Sequence, residues 1–224
     1  MTTILHLTYL ITVLVSAIFS LKTFRLKWPL TYKLFSAFLI TALITELAGT
    51  LWAYDLFEFQ KWDPFKTGNN NWLITFLLIP QYLFFITIYY SVLKNERLKK
   101  VVAAIAILYT IFAILNLAFG QGISIINSYT HIAASFVMLF LVLAYFEQIR
   151  KDKVLINLRR EPLVWISLGN FIYHLINIPF LFTINYLIKS YPQIVGSFFN
   201  FYLIILIITY SLYIKAFLCP QPQK

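Results

Sequence analysis

Apolar runs of about twenty residues recur seven times along this chain, and each is long enough to carry an α-helix across the roughly 30 Å hydrocarbon layer of a bilayer. They are expected at about 3–21, 34–54, 72–93, 101–119, 127–146, 163–187 and 193–214. In hydrocarbon every backbone N–H and C=O must be paired within its own segment, so a chain of such runs folds as a bundle of helices. The ten-residue alternation of an outer-membrane barrel is absent from them. With 61% hydrophobic and 12% charged residues, no stretch remains for a soluble domain. The expected fold is all-α, one integral membrane domain over 1–224.

The net charge of +10 raises the question of a nucleic-acid partner, and the placement of the charges answers it. Lys22, Arg25, Lys27 and Lys33 follow the first run; Lys94, Arg97, Lys99 and Lys100 follow the third; Arg150, Lys151, Lys153, Arg159 and Arg160 follow the fifth; Lys215 and Lys224 close the chain. All of these fall on one side of a seven-span layout, against Lys61, Lys66 and Lys189 on the other. That asymmetry is the positive-inside pattern of a membrane protein; no nucleic acid is called for. It predicts an N-terminus outside and a C-terminus in the cytoplasm, as in a multi-pass protein of a bacterial inner (cytoplasmic) membrane. Met1 to Leu5 hold no Lys or Arg, so the first run is expected to stay as a helix and not to act as a removable leader. Trp28, Trp165, Trp52 and Trp72 fall at predicted span ends, where indole favours the headgroup boundary, and Trp62 falls in the loop after the second span. That loop, residues 55–71, mixes apolar and charged residues before a turn-rich Thr-Gly-Asn-Asn-Asn cluster. It reads as an interfacial amphipathic segment, with a lid over an outward cavity as the alternative.

Within the apolar runs one carboxylate stands out. Glu46 is the only acid inside such a segment, and a charge near the bilayer centre costs about 2.5 to 3.5 kcal/mol on insertion scales, so it is expected to face the protein interior. Polar and small residues three and four apart share one helix face. Ala42, Glu46, Gly49 and Ala53 form such a seam in the second span, and Ser167, Asn170, His174 and Asn177 form the densest one, in the sixth. The others offer Pro80 and Gln81; Tyr109, Ala113, Asn116 and Gly120; Ser128, His131 and Ser135; and Gly196, Ser197 and Asn200. Counted at about 1.5 Å per residue, His174 and Gln81 lie near the midplane, Glu46 and Asn200 slightly outward, and His131, Asn116 and His6 further outward. The expectation is a polar cavity opening outward, lined by Glu46, Gln81, Asn116, His131, Asn170, His174, Asn177 and Asn200, with Glu46 and a histidine able to share a proton. Helix-to-helix pairing of the same groups is the plainer alternative.

Sharper chemistry finds less support. A three-histidine zinc site would draw on His6, His131, His174 and Glu46, but no two histidines lie four apart on one helix face. A retinal protein needs a lysine in the middle of the seventh span, and Lys215 lies at its cytoplasmic end. Cys219 is the single cysteine, which excludes an internal disulfide and a cysteine metal cluster. No cofactor, resident metal or catalytic residue is called for. Transport is a stronger rival, because the spans can divide three, one, three. His6 and Arg25 recur as His131 and Arg150, and Pro29-Leu30 recurs as Pro162-Leu163, the trace of a parallel repeat. Against it, Pro80-Gln81 and Pro192-Gln193 sit at different depths.

Three stretches, Lys33 to Glu46 (KLFSAFLITALITE), Glu161 to His174 (EPLVWISLGNFIYH) and Lys215 to Cys219 (KAFLC), resemble a family of small uncharacterised seven-helix membrane proteins of Bacteroidota associated with neighbouring sensor-kinase genes. The resemblance implies a signalling input module and gives no residue a role. The sequence thus reads as a sensor or receptor subunit whose cavity binds an unknown small ligand or ion. The basic segment Arg150, Lys151, Lys153, Arg159 and Arg160 would face a cytoplasmic signalling partner, or act through its charge alone to set topology. A proton-coupled or small-molecule transporter is the alternative, and a zinc-dependent intramembrane hydrolase the third reading.

Overall fold

Proline sets the helix ends in the last third of the chain. The computed structural model describes residues 2–25, 27–55, 58, 60–61, 70–123, 126–152 and 158–220. α1 (Thr2–Ser20) continues past a turn at Leu21 into the single-turn α2 (Lys22–Arg25). Then follow α3 (Leu30–Ala53), α4 (Asn71–Val92), α5 (Glu96–Phe119), α6 (Ser128–Lys151), α7 (Pro162–Ser190) and α8 (Pro192–Leu218), with a 3-10 turn at Leu158–Arg160 before α7. A residue before proline is pushed out of the helical region, while proline itself suits the first helical position. Glu161 (φ −88, ψ 111) and Tyr191 (φ −141, ψ 58) therefore stand just outside α7 and α8, which open on Pro162 and Pro192, and Cys219 before Pro220 ends α8 (φ −64, ψ 154). Only Tyr191 separates α7 from α8. The start of α5 is capped by Asn95, whose side-chain oxygen accepts from the backbone N–H groups of Arg97 (2.9 Å) and Leu98 (3.3 Å).

Seven helices are long and apolar enough to cross a membrane, α1 and α2 together forming the first, and no strand occurs among the described residues. The chain is a multi-pass helical bundle. Its spans sit where the apolar runs predict, with α6 to α8 running past the predicted limits because nothing in the sequence breaks them before Asp152, Tyr191 and Cys219.

The helices pack in sequence around a closed ring: α1 on α3, α3 on α4, α4 on α6, α6 on α7, α7 on α8, and α8 back on α1. α5 touches α4 and α6 alone and stands outside. Its buried residues Val102, Tyr109, Ala113 and Asn116 make one narrow stripe, while Ile107 and Leu108 are more than half exposed. The ring thus splits into three helices before α5 and three after it.

At the end that carries most of the basic residues, the ring is filled with aromatic side chains. Phe35 is fully buried and meets Phe38, Phe85, Tyr213 and Phe217 at ring-centroid distances of 5.6, 5.8, 4.9 and 5.9 Å. Trp28 packs on Tyr32 and Phe217, and Lys22 Nζ donates to the Phe217 carbonyl. The Tyr32 hydroxyl donates to Glu161 (2.6 Å), which ties the start of α3 to the start of α7. Trp28 and Trp52 stand at the two ends of α3, and at 4% and 7% exposed both indoles pack inside the protein. Trp62, and most of the loop read as an interfacial segment or lid, lie outside the described residues. Its described part holds Asp55 and Glu58 at positive φ, a Lys61–Glu58 ion pair, and Gln60 donating to the Trp52 carbonyl (3.0 Å).

Helix association in a membrane rests on close packing, and small residues permit it. On α7, a Cβ built at Gly169 would come within 2.8 Å of Tyr213 and 3.3 Å of the Thr209 carbonyl, so α8 lies where it does because Gly169 has no side chain. Gly169→Leu is expected to push α8 outward and to lower stability by about 1 to 3 kcal/mol, the usual range for overpacking; a melting midpoint equal to the parent's would contradict this contact.

A polar cavity at the centre of the ring

Every helix of the ring contributes to a cavity of about 230 Å³. Tyr9 comes from α1; Phe38, Ala42, Thr45 and Glu46 from α3; Ile74, Gln81, Tyr82 and Phe85 from α4; His131 from α6; Asn170, Tyr173 and His174 from α7; Tyr202, Leu206, Thr209, Tyr210 and Tyr213 from α8. On α4 it extends from the first turn to Phe85, about 16 Å of helix rise. A second cavity of about 320 Å³ adjoins it at the end away from the basic loops. This one is lined by Asn71, Thr75, Asn127, Asn177, Phe180 and Phe199, among others, and shares Ile74, His131 and Tyr202 with the first.

Glu46 is partly exposed, and what exposes it is the cavity. Its side-chain partner is Tyr9 of α1. Tyr173, Tyr202 and Tyr210 lie within electrostatic reach of the carboxylate. Neither histidine forms an ion pair with Glu46 among the described residues, so the expected Glu–His pair is not formed. The reason is spacing around the ring: Glu46 projects from α3 toward α1 and α8, while His174 turns the other way, to α6.

That side of α7 is the polar stripe read from the sequence, with Ser167, Asn170, His174 and Asn177 all at most 2% exposed. Its partners are specific. The Ser135 hydroxyl accepts from Nδ2 of Asn177 (2.9 Å) and lies 3.1 Å from Nδ1 of His174. Tyr82 interacts with the same hydroxyl. Oδ1 of Asn177 accepts from Tyr202 (2.9 Å), whose hydroxyl is also 3.0 Å from that of Tyr173. Toward the basic end, Tyr213 donates to Oδ1 of Asn170 (2.8 Å) and Tyr89 pairs with Ser167 (2.9 Å). Pro179 removes the N–H that would reach the Leu175 carbonyl, one residue from His174. On the facing wall Gln81 donates to Thr45 (3.3 Å). Three polar atoms of the wall, Nδ1 of His131, Nδ2 of Asn170 and Oγ1 of Thr209, are buried and have no hydrogen-bond partner.

Of the expected lining residues, Glu46, Gln81, His131, Asn170 and His174 come together in the main cavity, and Asn177 lines its neighbour. Asn116 lines neither. It ties α5 to α6 by donating to Asn127 and Thr130 (3.0 Å to the latter), and Gly120 is required beside it, since a Cβ there would stand 2.3 Å from the Asn116 oxygen. Asn200 lines neither, and its Oδ1 has no partner. The seam to which it belongs starts on an open face of α8: Gly196 and Ser197 are exposed, and a Cβ built at Gly196 would meet nothing within 4 Å. Pro80 is exposed as well. His6 packs on Tyr9 (6.4 Å between rings) and does not line the cavity. The described residues hold no group of three His, Cys, Asp or Glu that could bind a metal ion, so the constellation needed for a zinc hydrolase is not assembled.

The sequence reading missed the six tyrosines of the wall. One signal was available: Tyr202, Leu206, Thr209 and Tyr213 follow one another at four, three and four, the spacing that singled out α7. The hydroxyl of a tyrosine in an apolar run makes it a polar lining residue when the helix turns it inward.

At the basic end, Arg150 and Lys151 both pair with Glu147 (2.7 and 3.1 Å). Arg159 and Arg160 are exposed, and the Arg159 carbonyl accepts from Nε1 of Trp165 (3.0 Å) and from Cys219. Burial pushes the Cys219 thiol up from its usual range. Lys153 lies outside the described residues.

Fold and cavity together define a class: a multi-pass helical membrane protein with a six-helix ring around a polar, tyrosine-lined space. No protein-family model, no curated protein and no solved structure matches the chain.

Ser135 is the shared partner of α7's two central polar groups. Ser135→Ala is expected to lower stability by about 1 to 2 kcal/mol, and a double-mutant cycle with Asn177→Ala to show coupling of about 0.5 kcal/mol or more. Strict additivity of the two losses in the detergent-solubilised protein would break the network into unrelated contacts.

Proposed function

We propose that this protein is a membrane receptor subunit that binds a small ligand in the central cavity and reports occupancy to a partner at its basic end. The observation that carries the reading is the one-sidedness of the bundle. The cavities occupy the centre and the end away from the basic loops, and the layer of Phe35, Phe85, Phe217, Trp28 and Tyr32 fills the rest. On the positive-inside pattern that layer is cytoplasmic, the cavity faces outward, and the membrane is a bacterial inner membrane. Coupling then has a route: Asn170 of α7 holds Tyr213, which packs on Phe35 of the aromatic layer, and Glu161 at the start of α7 holds Tyr32 beside the exposed Arg159 and Arg160. The resemblance to proteins associated with sensor-kinase genes agrees with this reading.

A transporter is the second reading, and the division of the ring into three helices, an outlying fourth and three more favours it, since parallel repeats in transporters are arranged about such an axis. The two differ in whether the cavity is ever reached from the basic end.

In a Cys219→Ser background, Thr45→Cys and Ile74→Cys place a thiol on the cavity wall. Both are expected to react with a membrane-impermeant thiol reagent applied from the side away from the basic loops, in spheroplasts, and to stay unreacted in inverted vesicles. Arg160→Cys should give the opposite pattern. Labelling of Thr45→Cys from both sides would establish alternating access and overturn the receptor reading.

A further inference from the structure

The chemistry of the wall goes further than the presence of a cavity. Among the described residues it carries one carboxylate, Glu46, and no lysine or arginine. Around that carboxylate stand Tyr9, Tyr173, Tyr202 and Tyr210, with Tyr82 across the space, its ring 5.8 Å from that of His174. Each class of occupant can be weighed against this set. An anion would meet an acid with no lysine or arginine to offset it. A divalent metal ion would ask for six or more oxygens, or three or four strong side-chain ligands, and no such group is assembled. A purely apolar molecule would leave Glu46 and the unpartnered Thr209 and His131 atoms facing hydrocarbon. An organic cation fits best: the positive charge beside the carboxylate, its substituents against the tyrosine rings, polar hydrogens for Thr209 and His131, and a hydroxyl, where it carries one, to accept from Nδ2 of Asn170.

We propose that the cavity binds a small organic ammonium ion, with Glu46 as counter-ion and the surrounding tyrosines as the lining. This rests on the ligand-binding reading above. The volume of about 230 Å³ sets the size, since an apolar cavity of about 150 Å³ holds benzene; a ring bearing a short aminoalkyl chain fits, and a nucleotide or disaccharide does not.

The test uses molecules of one shape and three charges: 2-phenylethylamine, 2-phenylethanol and phenylacetate, with choline and its neutral isostere 3,3-dimethylbutan-1-ol as a second pair. Each is titrated into the full-length protein in lipid nanodiscs, with empty nanodiscs subtracting partition into lipid. The amine and choline are expected to bind about tenfold or more tighter than their neutral counterparts, and phenylacetate not to bind. Glu46→Gln, which keeps volume and hydrogen-bonding capacity, should erase the preference. Equal affinity for amine and alcohol, or a preference that survives in Glu46→Gln, overturns the cation assignment and leaves a ligand-binding cavity in place. Binding of none of the five, with the variant melting as the parent does, overturns both.

Discussion

Hydrocarbon offers no hydrogen bonds, and the architecture follows from that one constraint. Each helix satisfies its own backbone, so what remains to be placed is the polar side chains, and they must find one another or a space the protein itself encloses. Every helix of the ring brings such a group to the cavity: Tyr9, Glu46, Gln81, His131, the α7 stripe, and Thr209 with its neighbouring tyrosines. α5 does not. Apart from Tyr109, whose ring meets Tyr82 at 5.9 Å, its interior-facing polar residue is Asn116, near one end, and it is bonded there to α6. A helix with so little to hide at mid-depth has no reason to enter the ring.

The same constraint explains why tyrosine, and not serine or asparagine alone, builds the wall. A ring fills volume as phenylalanine does and places one hydroxyl at its tip, so a tyrosine can turn its body to the packed side and its oxygen to the cavity or to a neighbour. Tyr202 illustrates this: its ring stacks on Phe180 at 4.0 Å while its hydroxyl bridges Asn177 and Tyr173. Rings are also stiff. A wall of them holds a space open where flexible aliphatic chains would collapse into it.

The bundle was legible in the sequence because helix length in a bilayer is fixed by thickness and leaves long apolar runs. So was α7, because four polar residues at three and four could share only one face. The finer placement was not legible where a residue's partner decides its direction. Asn116 and Asn200 obey the same spacing as Asn170, but one belongs to a helix outside the ring and the other to a face of α8 that lines neither cavity, and neither fact is local. The proline breaks at Pro162, Pro192 and Pro220 could be read directly. The aromatic layer could not, because in a chain this rich in Phe and Tyr composition does not say which rings meet.

That layer bears most on the choice between reporting and carrying a ligand. To pass a solute to the basic end, the contacts of Phe35 with Phe85, Tyr213 and Phe217 would have to part and admit water. At 150 to 250 Å² per ring and about 25 cal/mol per Å², full wetting costs on the order of 4 to 6 kcal/mol for each. A transporter must offset several such terms in every cycle by new contacts in its second state. A receptor needs less. Displacing Tyr213 against Asn170 by a fraction of an ångström moves its edge on Phe35, and close-packed rings transmit such a shift because they have no free volume to absorb it. The layer that is an obstacle to passage is therefore, on the receptor reading, the element that carries the message from the cavity to Tyr32, Glu161 and the basic end.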